Sequence, residues 1–200
     1  MTDNYAKIVQ DNLTRLYGNL PKDLARNLPG EQNGERFIFD AFGENCVMEP
    51  GRITLGEEAH SSVFGILISL YALNARSDVC VSSPLKSFKE FPDSMPYVGA
   101  FTTHTEQLLV PYVSKIKEAT QRIAKTLKGE KAPVEAGGDF SFIVHPLPKI
   151  ALCYIFYEAD DDFPASVTCL YSNNANQFMP VDGLADVGEY TSRKIINLID

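Results

Sequence analysis

Residues 149–171, KIALCYIFYEADDDFPASVTCLY, constrain the fold of this chain more than any other stretch. Two strand-forming apolar segments flank an acidic knot made of Glu158, Asp160, Asp161 and Asp162, which ends at Phe163-Pro164. Aromatic and β-branched residues suit a pleated surface, whereas clustered aspartates followed by proline suit a turn. The pattern predicts strands over 150–157 and 165–171 with an acidic turn between them.

The rest of the chain supplies partners for that pair. Tyr5, Ile8, Val9, Leu16 and Tyr17 form one helical stripe that stops at Gly18, and a short helix over 21–28 follows. Residues 1–30 thus read as a helical segment docking on a main domain over 31–200. The runs RFIFDAF, NCVME and RITL, separated by Gly43 and Pro50-Gly51, read as a meander of short strands. Residues 63–73, VFGILISLYAL, fall short of the about 20 residues that span a bilayer, so they predict a buried helix. Gly56 and Glu57-Glu58 mark its start, with acidic charge near the positive end of the helix dipole. Residues 78–99 carry three prolines and form the least regular region.

A long helix is predicted over 106–127, with Leu109, Tyr112, Val113, Ile116, Ile123 and Leu127 on one face and Pro111 near its first turn. Gly137-Gly138 then precedes a strand over 139–144, and a last helix follows Pro180 with Leu184, Val187, Ile195 and Leu198 inward. Strands and helices segregate without steady βαβ alternation, which predicts an α+β domain. Its antiparallel or mixed sheet should have about five or six strands packed with helices. With 200 residues, 44% of them hydrophobic, the chain suits one packed core.

Charge narrows the partners. A formal net charge of -8 argues against nucleic acid, whose binding rests on Lys and Arg displacing counterions from phosphates. The basic residues Lys115, Lys117, Arg122, Lys125, Lys128 and Lys131 fit the solvated face of a helix. Cys46, Cys80, Cys153 and Cys169 lie far apart with no C-x-x-C pair, so a zinc or iron–sulfur site is not expected. The opening MTDNYAKIVQ shows no charged-then-apolar leader, so a reducing, cytoplasmic setting is expected, with no membrane segment.

Three constellations could carry chemistry. The acidic knot offers oxygen ligands for a hard cation, yet it lacks the alternating acids and glycine of a calcium loop. Solvated charge that discourages edge-to-edge strand pairing explains it better. Glu57-x-x-His60 places a carboxylate and an imidazole at i and i+3 on one face of the predicted helix. A single copy cannot build a di-iron site, so the glutamate is assigned to the helix dipole and His60 to the helix surface. His104 and His145 stand alone, and the fold could bring His145 to Asp160–Asp162 as a metal or acid–base site. No G-x-S-x-G, P-loop or G-x-G-x-x-G pattern is present, so no catalytic, metal or cofactor-binding residue is assigned.

The closing stretch PLPKIALCYIFYEADDDFPASVTCLYSNNANQFMPVDGLADVGEY resembles the DUF3786 family of anaerobic bacteria and archaea. FDAFGENCVMEPG and GGDFSF further upstream look like the family pattern too, so the resemblance covers about residues 30–195. Some members carry an additional four-cysteine iron–sulfur domain like that of corrinoid proteins. The resemblance therefore implies a protein partner in corrinoid or iron–sulfur metabolism, within anaerobic one-carbon chemistry. This sequence lacks that four-cysteine run, and it has Tyr157 where family members often have tryptophan or a small residue.

Two functional classes follow. The first is a non-enzymatic accessory or ligand-binding domain that docks through the acidic turn and residues 78–99. The second is a small enzyme whose pocket gathers His145, Asp139 and the acidic turn. The candidate recognition residues are Asp139, His145, Tyr157, Asp160, Asp161, Asp162, Phe163 and Pro164.

Overall fold

The predicted meander forms in sequence order: β1 Glu31–Asn33, β2 Arg36–Ala41, β3 Glu44–Glu49, β4 Arg52–Leu55 and β5 Glu58–Ala59 make one antiparallel sheet. The computed structural model describes residues 2–60 and 62–199. Alternation along the strands sends Phe37, Phe39, Cys46, Met48, Ile53 and Leu55 to a buried face. Helices α1 Thr2–Gly18 and α3 Val63–Leu73 pack on each other and share the core with that face. Val9, Leu13 and Leu16 anchor α1, and Asn12 Nδ2 donates to Ser69 Oγ at 2.9 Å. The predicted second helix is a single turn, α2 Leu24–Asn27.

The predicted helix start at Gly56 and Glu57-Glu58 is instead a turn leading into strand β5. Gly56 adopts φ 61°, a left-handed conformation that glycine reaches without strain, and it turns the chain back so that Glu58 and Ala59 pair with β4. Glu57 and His60 therefore do not share a helix face, because the helix begins only at Val63.

The remaining strands build a second antiparallel sheet instead of extending the first. With β6 Lys86–Ser87, β7 Glu130–Lys131, β8 Phe140–Leu147, β9 Ile150–Tyr157 and β10 Ser166–Tyr171, its order is β6-β10-β9-β8-β7. The α+β class holds, with the strands divided between two five-stranded sheets. Sequence patterning marks a strand but not its partner, and the two-residue strands β5 and β7 end the sheets where a merged one would have to continue. The sheets meet at the backbone, where Phe42 N–H donates to the Pro146 carbonyl at 2.6 Å.

Strand β9 is central and buried on both faces. Leu152, Tyr154 and Phe156 enter the main core, while Ala151, Cys153 and Ile155 form a smaller cluster with Ala132 and Ile143. Burial on both faces is why the segment reads as a continuous apolar run.

The long helix predicted over 106–127 is broken. After the single turn α4 Val98–Phe101, a π turn spans Thr102–Glu106 and a 3₁₀ stretch spans Gln107–Tyr112, and regular helix α5 runs only over Val113–Thr126. Pro111 lies in the 3₁₀ stretch. It has no N–H to donate and its ring crowds the preceding turn, which excludes regular α-helical pairing there. Helix α6 Val181–Asn197 buries Leu184, Val187 and Ile195, leaves Leu198 half-buried, and ties to the π turn through Ser192 Oγ, which donates to the Thr105 carbonyl at 2.8 Å. Residues 78–99 are pinned by the loop that follows β10: Asn174 Nδ2 donates to the Val79 carbonyl and Asn173 Nδ2 to the Pro84 carbonyl, both at 2.9 Å. Among the described residues, no helix is long and apolar enough to cross a membrane.

Candidate functional site

The acidic turn joins β9 to β10 and is held by its first aspartate. Asp160 Oδ1 accepts the backbone N–H of Asp162 at 2.9 Å and of Phe163 at 2.7 Å, and Asp160 N–H donates to the Phe163 carbonyl at 3.0 Å. An aspartate bonding its own chain two and three residues on is a compact Asx turn. Asp139 joins from the start of β8, where its Oδ2 accepts the Glu158 N–H at 2.7 Å. Lys117 of α5 ion-pairs with Glu158 and lies 6.0 Å from the Phe140 ring centre, so the corner is braced from the helix side.

The braced corner presents apolar surface. Phe163 is 71% exposed and Tyr157 is 44% exposed. With Asp139, Asp160, Pro164 and Ser166 they border a shallow cavity of about 490 Å³. Asp161 and Asp162 point acidic charge into solvent at its edge. Five of the eight candidate residues named from sequence, Asp139, Tyr157, Asp160, Phe163 and Pro164, line this cavity, and Asp161 and Asp162 belong to its turn, where the Asp162 backbone N–H donates to Asp160.

His145 is the exception. It stands at the far end of β8, about 20 Å along the strand from Asp139. Its Nε2 lies 3.4 Å from Glu130 Oε1, and its backbone N–H donates to the Leu127 carbonyl at 2.9 Å. The pocket combining His145 with Asp139 and the acidic turn is therefore not assembled, because the strand that carries both keeps them apart. Among the described residues, no three His, Cys, Asp or Glu side chains are grouped to hold a metal ion. The basic residues of 115–131 lie on the exposed face of α5 and just beyond it.

A groove that sequence reading missed runs alongside. Strand β6 pairs only with Leu170 and Tyr171, so among the described residues no strand lies beside the first part of β10 on the side away from β9. The π turn fills part of that gap, and Glu106 Oε1 accepts the Cys169 N–H at 2.9 Å. Burial raises the Glu106 carboxyl above its ordinary value, against the lowering effect of its bonds from Cys169 and Thr102. A cavity of about 490 Å³ separates Glu106, Val110 and Pro111 from Ser166 and Val167, and Ser166 also borders the acidic corner. A π turn leaves no clear periodicity in sequence, which is why Glu106 gave no signal.

A further cleft of about 530 Å³ lies between the β4–β5 turn and α6. His60 lies in it, with Phe64, Tyr190 and the acids Glu57 and Glu58. Gly65 allows the approach, since a side chain there would collide with the His60 carbonyl. The Glu57-x-x-His60 motif thus reaches a cleft by a turn, not by a helix face.

Two antiparallel sheets packed with helices around one main core define an α+β domain. The chain belongs to the DUF3786 family: the model of that domain of unknown function matches residues 21–194. No curated protein and no solved structure matches the chain.

Proposed function

We propose that this protein is a non-enzymatic docking domain and that the corner around Phe163 receives its partner. One observation carries the reading: a phenylalanine 71% exposed is held outward by a turn whose backbone is fixed by Asp160. Leaving such a ring in water forgoes about 1.5–3 kcal/mol of burial, and a braced turn cannot fold it back onto the core. Tyr157 and Pro164 widen it into a patch, and Asp139, Asp161 and Asp162 give the patch an acidic rim. Charge complementarity selects the partner surface: an apolar socket ringed by Lys or Arg.

Resemblance to relatives that carry a four-cysteine iron–sulfur domain supports a partner in corrinoid or iron–sulfur metabolism. A photo-crosslinking residue in place of Phe163, used in extracts of the host, tests both parts. The expected product joins the chain to a basic, apolar surface of a cobalt- or iron-containing protein, and Asp161→Lys/Asp162→Lys abolishes it. Identical crosslinking with and without the charge reversal overturns the reading.

A further inference from the structure

The cleft beneath His60 lies apart from the docking corner and has a chemistry of its own. Part of its lining is aromatic: Phe64 meets Tyr190 edge to face at 5.1 Å and His60 at 5.8 Å between ring centres. One wall is the turn carrying Glu57 and Glu58, and the other is the face of α6 that carries Tyr190, Arg193 and Lys194. The two cations of that face are already engaged, Arg193 with Glu189 at 2.9 Å and Lys194 with Glu44. Among the described residues, neither Glu57 nor Glu58 has a basic group within salt-bridge distance.

The balance in the cleft is therefore negative, and Phe64 and Tyr190 add aromatic surface to its lining. An anion entering it would have to displace Glu44 or Glu189 from its partner, whereas a cation meets two unengaged carboxylates and an aromatic surface. The volume of about 530 Å³ falls within the range of small-molecule sites. A hydrated metal ion is a poorer match, since aromatic walls offer it no ligands.

We propose that this cleft binds a small organic ammonium ion, with Glu57 and Glu58 supplying the charge and Phe64 and Tyr190 the aromatic surface. Ring faces attract a poorly hydrated ammonium most strongly, so alkylated amines are preferred to ammonium itself.

Calorimetric titration of the full chain with choline, and with acetate and phosphate as anionic comparators, tests this. Choline is expected to bind with an affinity that falls as salt rises, and the anions are not. Glu57→Gln/Glu58→Gln substitutes two exposed side chains and should weaken choline at least about tenfold. Tyr190→Leu keeps apolar bulk and should also weaken it, while Phe163→Ala should leave it unchanged. Absence of choline binding at tens of millimolar, preference for the anions, or an affinity indifferent to Glu57→Gln/Glu58→Gln would overturn the assignment.

Discussion

Glu106 Oε1 accepts the backbone N–H of Cys169 at 2.9 Å, so a carboxylate from a π turn completes the part of the β10 edge that, among the described residues, no strand covers. A side chain from a distant helical segment thereby substitutes for a ladder bond. The Cys169 N–H would otherwise be a partly buried donor without an acceptor.

This bond predicts a pH dependence. Burial holds the Glu106 carboxyl above its ordinary value, so the folded protein keeps that proton more tightly than the unfolded chain does. Its contribution to stability is full below the ordinary carboxyl range and is lost as pH rises through the raised value. Glu106→Gln retains an acceptor without the charge, so its stability relative to wild type should increase across that window in urea titrations. Parallel curves would show that Glu106 is not desolvated. Glu106→Ala, by contrast, should cost about 1–3 kcal/mol even at low pH, because Cys169 loses its acceptor.

Helix α6 should tolerate no side chain at Gly188. A methyl group there would lie 2.7 Å from Phe101 Cε2 and 2.8 Å from both Thr105 Oγ1 and the Tyr171 hydroxyl. Tyr171 cannot easily yield, since it is fully buried and donates to the Leu184 carbonyl at 2.6 Å. Gly188→Ala should destabilise by about 1–3 kcal/mol through overpacking, read as a lowered urea midpoint with unchanged slope.

The thiols should differ in reactivity. Burial pushes Cys46 up to about 12 and Cys153 up to about 11, and it raises Cys169 as well. Cys80 is raised by burial too, but it is only half-buried and hydrogen bonds from Ser172 and Ser82 oppose the shift. Ellman's reagent at neutral pH should modify Cys80 alone in the native protein and all four thiols after denaturation. Persistence of the native reaction in Cys80→Ser would contradict this.

At the acidic corner, function and stability should separate. Phe163→Ala removes a side chain that is 71% exposed, so thermal unfolding should change by no more than about 0.5 kcal/mol while partner crosslinking at a neighbouring site disappears. Asp160→Ala removes the acceptor of two backbone N–H groups. It should loosen the turn and cost about 1 kcal/mol, with faster amide exchange at Asp162 and Phe163.

Much of the framework was legible because it is local. The 150–157 run, the acidic turn and the helix after Pro180 each carry a period or a breaker within a few residues, and each forms where predicted. Asp139, Tyr157, Asp160 and Phe163 could be grouped from sequence because β8, the turn and β10 are joined by short connections to β9. His145 could not be placed, since its distance from the turn depends on register along β8. Of the 106–127 helix only the part after Pro111, the predicted mark of its first turn, is regular; over 106–112 apolar spacing persists while α-helical hydrogen bonding does not. The cleft under His60 draws on the β4–β5 turn, α3 and α6, and no local pattern links Glu57 to Tyr190.

The amino-acid sequence by itself determined the α+β class, the acidic turn and the strands that flank it. Periodicity and turn chemistry act between near neighbours and need no fold to be read. Tertiary structure alone decided that the strands divide into two sheets, that Glu106 completes the edge of β10, and that His60 faces an acidic, aromatic cleft while His145 stands apart. Those outcomes depend on which surfaces bury each other, and burial is settled by packing between segments far apart in the chain.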